Sequence, residues 1–139
     1  MRFMIIRRAD KKTEAGVPPS DRVLGDMLNY NQEMVKAGVF LQGVGLKPSS
    51  KGMRVRISGA DPKPEKPKVI DGPFAETKEL IAGFTMIEVK SREEALEWVR
   101  RWPPSDGPVE LEVRQCFEIE DFNPDFADQI KEQERNTRT

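Results

Sequence analysis

Histidine is absent from this 139-residue chain, and cysteine occurs once. Without an imidazole, neither a Ser–His–Asp nor a Cys–His nucleophile pair can be assembled within the chain. A zinc site of the usual Cys/His kind has no ligand set to draw on, and no motif implies any other cofactor. Proton transfer is left to Asp, Glu, Lys, Tyr or water. A lone cysteine makes no internal disulfide, which fits a reducing cytoplasm. No apolar run approaches the roughly 20 residues of a membrane span. The opening MRFMIIRRADKK holds only four consecutive apolar residues, too few for a signal peptide. Net charge is −1, so neither sign is in excess. A single soluble domain is the expectation.

The charges that are present are unevenly placed. Residues 47–68 hold seven basic and two acidic side chains, and residues 105–134 hold two basic and ten acidic ones. Two solvated faces account for this, and so does complementary contact within an oligomer. Nucleic acid is a poor fit, because the basic stretch has no interleaved aromatics and the acidic stretch repels phosphate.

Periodicity predicts the elements. RFMIIRR (2–8) reads as a strand, and ADKKTEAGVPP (9–19) as a loop. Ser20 caps a helix with Val23, Met27, Tyr30 and Met34 on one stripe, which Leu24, Leu28 and Val35 widen, and Gly38 stops it. VFLQGVGL (39–46) is a strand whose glycines suggest a bulge or a close backbone approach. MRVRIS (53–58) and KVI (68–70) form a hairpin tipped by the proline-rich GADPKPEKP. GFTMIEVK (83–90) is a strand apolar on both faces. Ser91 and Glu94 form a capping-box pattern before a helix that buries Ala95, Trp98 and Val99, and Pro103-Pro104 ends it. VELEVRQCFEIE (109–120) alternates as a long strand with one charged face. Asn123-Pro124-Asp125 caps a short final helix, after which KEQERNTRT frays. The division is a domain over 1–122 and a helical, partly disordered tail over 123–139.

The order is βαββαβ with an inserted hairpin, the ferredoxin-like α+β arrangement. Strands 2–8 and 83–90, apolar on both sides, suit the sheet centre, and the charged last strand suits an edge. Two helices cover one face only. An apolar second face asks either for a twin molecule, giving a homodimer, or for the hairpin and tail to fold over it.

VIDGPFAETKELIAGF (69–84) resembles the signature of the YCII-related, or DGPF-domain, proteins. The likeness continues through MRFMII, VKAGVFLQGVGLKPSSKGMRVRISG, MIEVKSREEALEWVRRWP and VELEVRQCFEIEDF, covering all but the tail. The resemblance implies a dimeric α+β barrel. It also implies membership of a wider superfamily that includes isomerases, monooxygenases and dehalogenating lyases working between helices and sheet. Some YCII-like proteins pair a histidine with the aspartate, and many relatives carry GLHPSS where this chain has Gly45-Leu46-Lys47-Pro48-Ser49-Ser50. The missing histidine is a departure that bears on catalysis, not on fold.

Asp71 is the main candidate. An Asp at a turn ordinarily accepts from the N–H two residues on, but that residue is Pro73, which has none. Asp71 then either caps the N–H of Phe74 or Ala75 or serves as a catalytic carboxylate. As a catalyst it would be the acid/base of a lyase- or isomerase-type step, and it would have to be partly buried. Lys47 or Arg7 would hold an anionic or aromatic small molecule, with Gly72, Pro73, Phe74 and Lys78 around it. The other reading is a non-catalytic regulatory or protein-binding partner, for example of a sigma factor, by analogy with relatives found beside such factors. Arg54 and Arg56 share a strand face and are either solvated or an anion clamp. Cys116 is expected to be an inert surface or interface thiol.

Overall fold

A computed structural model describes residues 1–137, with the Lys78 side chain outside the described set. The chain is a mixed α+β structure with antiparallel sheets. The strands are β1 (Arg2–Arg8), β2 (Phe40–Gly45), β3 (Met53–Arg56), β4 (Lys68–Asp71), β5 (Ile81–Glu88) and β6 (Leu111–Gln115). The helices are α1 (Lys11–Glu14), α2 (Asp21–Lys36), α3 (Arg92–Arg100) and α4 (Ala127–Thr137). Four strands form one sheet in the order β2-β5-β1-β6, and β3 pairs with β4 in a separate two-stranded ribbon. Among the described residues no helix is long and apolar enough to cross a membrane.

The register shows why β1 and β5 hold the centre. Phe3, Ile5 and Arg7 pair with Ile87, Thr85 and Gly83, so these residues share one face. That face meets Tyr30 and Met34 of α2 and Ala95 and Trp98 of α3 in a single core. Ile5, Met34 and Ile87 are fully buried, each worth roughly 1.5–3 kcal/mol over an exposed side chain. The Tyr30 hydroxyl donates to the Trp98 carbonyl at 2.6 Å, tying α2 to α3. Burial pushes the pKa of this phenol up to about 12. Tyr30 is thus a core residue whose one polar atom is satisfied. The opposite face carries Met4, Ile6, Phe84 and Met86, all half-buried, with Met4 beside Met86 and Ile6 beside Phe84.

Helix ends follow the sequence. The Ser20 hydroxyl accepts from the Val23 N–H at 3.2 Å. Gly38 takes φ +76° just past α2, where a Cβ would be strained. At α3 the Ser91 hydroxyl accepts from the Glu94 N–H, but Glu94 accepts from the Lys90 N–H rather than from that of the cap.

Three expectations fail. The stretch 9–19 contains α1, closed by a reciprocal Asp10–Thr13 capping box: Thr13 N–H donates to Asp10 at 2.9 Å, and Asp10 N–H to the Thr13 hydroxyl at 2.8 Å. Leu24, Leu28 and Val35 do not widen the buried stripe and are 49, 59 and 50 % exposed. They lie about 100° round the helix from their buried neighbours, beyond the reach of the sheet. The last strand stops at Gln115, not at residue 120, and Phe117 is 70 % exposed. Glu118 turns back to accept the Arg2 N–H at 3.0 Å while Asp121 accepts the Glu118 N–H, and that 3-10 turn ends the strand. The tail carries α4 as far as Thr137, and the last two residues of the stretch expected to fray lie outside the described residues.

Asp10 gives the fold a pH signature. Its carboxylate accepts from the Thr13 N–H and pairs with Arg7 at 3.3 Å, and both hold its pKa below the ordinary 3.8. A depressed carboxylate stabilises the fold fully above its unfolded pKa and loses that contribution as pH falls through the folded value. Acid melting should therefore steepen below about pH 4, and Asp10→Asn should flatten that limb while costing stability at neutral pH. A limb unchanged by the substitution, followed by circular dichroism, would show that Asp10 contributes nothing.

Candidate functional site

The loop after β4 is built on a turn 20 residues earlier. Ser49–Lys51 form a 3-10 turn flanked by Pro48 and Gly52, and Ser49 is its hub. The Ser49 N–H donates to Glu14 at 2.9 Å, and the Ser49 hydroxyl donates to the same carboxylate. The Phe74 N–H donates to the Ser49 hydroxyl at 3.1 Å. The Gly72 N–H donates to the Gly52 carbonyl at 3.0 Å. A Cβ on Gly72 would overlap the Ser49 carbonyl oxygen, so only glycine allows the two backbones this close. The peptide bond between Gly72 and Pro73 is cis. The Arg54 guanidinium lies 4.0 Å from the Phe74 ring centroid, holding the ring from the ribbon side. Arg54 is therefore engaged with an aromatic face, not poised with Arg56 as an anion clamp.

This arrangement brings Asp71, Gly72, Pro73 and Phe74 together, with Lys47 two residues before Ser49 on the receiving turn. Asp71 is the last residue of β4, directly opposite Met53, and it is exposed, as is Lys47. The partial burial expected of a catalytic Asp71 does not occur in the single chain, because the loop packs through Gly72 and Phe74 and leaves the preceding side chain outside. The Phe74 N–H, expected as a cap donor to Asp71, goes to Ser49 instead. Lys78 lies in a 3-10 turn over Thr77–Glu79, and its side chain is outside the described residues.

Arg7 stands elsewhere. It closes β1 and is paired twice: Nε and Nη2 meet both oxygens of Asp106 at 3.2 and 3.0 Å, and Nη1 meets Asp10 at 3.3 Å and the Arg8 carbonyl at 2.8 Å. Its side chain is 12 % exposed. Burial alone would lower its pKa, but Asp106 and Asp10 outweigh that and raise it. Two carboxylates already neutralise this guanidinium, so Arg7 is a structural clamp rather than a free anion binder. It is linked to the candidate loop through α1, whose cap Asp10 it holds and whose last residue Glu14 holds Ser49, and through its pairing with Gly83 of β5. An open cleft of about 410 Å³ lies at this end of β1, lined by Arg7, Arg8, Ala9, Asp10, Pro108, Val109 and Glu110. Neither Asp71 nor Lys47 lines it.

Sequence reasoning missed Glu14 and Ser49. Ser49 was visible inside the Lys47–Ser50 stretch, but Glu14 gave no signal, since it acts across 35 residues. Cys116 is a free, half-buried thiol. Among the described residues no group of three or more Cys, Asp or Glu is placed to hold a metal ion.

Two comparisons bear on this geometry. The sequence model of the YCII-related domain matches residues 1–118, which takes in α1, the Ser49 turn and the whole loop. An uncharacterised protein of Rhizobium meliloti (strain 1021) is 34 % identical over 94 residues, covering 66 % of this chain and 72 % of that protein.

Proposed function

The chain belongs to the YCII-related domain family, and on that premise we propose that it binds a small molecule at the 71–79 loop, with Asp71 as the acid/base group of a lyase- or isomerase-type step. The observation that carries this reading is the unused carboxylate. Among the described residues, the hydrogen bonds that tie residues 72–79 to the earlier turn run through Ser49 and Gly52, with Glu14 behind Ser49, and none engages the Asp71 carboxylate. A turn aspartate kept only as a cap would be engaged there. Lys47 on the receiving turn supplies a cation for an anionic ligand. With Arg7 neutralised by its own carboxylates, Lys47 carries that role among the described side chains.

We read the subunit as ferredoxin-like and the working form as a homodimeric α+β barrel in a reducing cytoplasm. The strand order β2-β5-β1-β6 and the apolar second face of β1 and β5 support the reading. The ribbon does not roof that face, since Met53, Val55 and Ile57 stay 62, 52 and 73 % exposed. A monomeric mass by light scattering at micromolar concentration would remove the dimer.

A second reading is favoured by one observation: Asp71 is exposed in the single chain, so nothing there excludes water from a reacting group beside it. On that reading the protein is a non-catalytic regulatory partner. Asp71→Asn separates the two. A thermal-shift screen against small anions, phenols and lactones supplies a ligand. Asp71→Asn is then expected to abolish turnover and weaken ligand binding, with stability changed by less than about 0.5 kcal/mol. Binding and turnover that survive, together with a lowered melting temperature, would make Asp71 a turn cap.

A further inference from the structure

The β3–β4 ribbon presents an apolar side that its own chain leaves open. Alternation puts Met53, Val55 and Ile57 on one side, and the register sets Val69 opposite Val55 and Asp71 opposite Met53. Val69 is 58 % exposed, like its three neighbours. The other side carries Arg54, Arg56 and Lys68. A two-stranded ribbon is marginal alone in water, and this one displays aliphatic residues where a solvated strand carries polar ones.

A second open surface follows β6. Phe117, Phe122 and Phe126 are 70, 44 and 54 % exposed, and the first two rings lie 5.3 Å apart. Exposed acidic residues neighbour them in the chain, among them Glu120, Asp121 and Asp125, while Glu118 is taken by Arg2. One surface is thus aliphatic within the most basic stretch of the chain, and the other is aromatic within the most acidic. Both remain open in a single chain, so they do not meet there.

We propose that the ribbon is an arm that lays its Met53–Val55–Ile57–Val69 side on the Phe117–Phe122–Phe126 surface of a second copy of this chain. A two-fold axis makes the exchange reciprocal, since the copy that receives an arm also gives one. The proposal rests on the homodimer reading above and specifies which surfaces meet. The ribbon is only two strands wide, at about 4.8 Å between strands. Arg56, Lys68 and the lysines of its tip therefore reach round the edges to the acidic rim, which orients the approach and disfavours other partners. Asp71 stands at the base of the same apolar side. A seated arm therefore takes water from that carboxylate, and the desolvation that an acid/base role needs would come from the partner copy.

The test places Ile57→Cys and Phe122→Cys together in a Cys116→Ser background, treats the folded protein with a short bismaleimide, and reads mass on a denaturing gel beside light scattering. The expected result is a covalent dimer from the double-cysteine protein and none from either single-cysteine control. Val55→Asp, at an exposed position that does not threaten folding, should weaken dimerisation about tenfold or more. A cross-link within one chain would overturn the proposal, because the arm would then fold back on itself. A dimer by light scattering without any cross-link would sink the arm while leaving the sheet-face dimer standing. A monomer would remove both.

Discussion

Gly72→Ala is expected to cost about 3 kcal/mol and to lower the melting temperature by about 10 °C. The added methyl would run into the Ser49 carbonyl oxygen, with the carbonyl carbon 2.6 Å away. Both are backbone atoms and cannot yield by changing rotamer, so the loop must lift off its turn. Lifting breaks the Phe74–Ser49 bond and frees the Phe74 ring from Arg54. Amide exchange at Phe74 should therefore accelerate along with the loss of stability. Gly45→Ala is the control. Nothing lies within 4 Å of its Cβ position, and its effect should stay within about 0.5 kcal/mol. If the two substitutions melt alike, the close approach of loop and turn is not a constraint, and the site built on it falls.

The second large effect is at the clamp. Asp106→Ala leaves the Arg7 guanidinium, 12 % exposed, with half its partners, and also removes the acceptor of the Trp102 indole N–H at 3.0 Å. Breaking one side of a buried pair costs about 3–5 kcal/mol, because the surviving charge is stranded. These side chains keep some contact with water, so about 3 kcal/mol is expected. The double change Arg7→Met with Asp106→Leu should recover much of that loss, since it removes both charges and keeps the volume. A double variant no better than the single one, measured by denaturant unfolding, would mean that the geometry of the pair matters and its charge does not. Because Arg7 also holds the cap of α1, and α1 holds Ser49, the clamp variant should loosen the distant loop as well. A ligand found for the loop would then bind it more weakly, though Arg7 lies outside that loop.

Much of this architecture was legible beforehand because it depends on local rules. Strand alternation at Met53–Arg56, the Ser20 cap, the Gly38 stop and the two-sided apolar pattern of residues 2–8 and 83–90 each reflect a chain's dealings with its near neighbours and with water. The DGPF motif marked the loop for the same reason, since its Gly and Pro constrain the backbone where they stand. The failures share the opposite cause. Leu24, Leu28 and Val35 have the periodicity of a buried stripe, and only the sheet's position decides which side of the helix is covered. Residues 116–120 alternate like a strand, yet Glu118 finds Arg2 across 116 residues and the strand ends.

The candidate site divides in the same way. Which residue types gather at the loop, that no histidine serves it, and that Pro73 denies Asp71 its usual donor were all determined by the sequence alone. That Ser49 and Glu14 build the loop, that Asp71 is left exposed with no partner among the described residues, and that Arg7 is spent on two carboxylates were decided only by tertiary structure. The reason is physical: a side chain's type sets what it can bond, but its burial and its partners depend on residues brought from elsewhere in the chain.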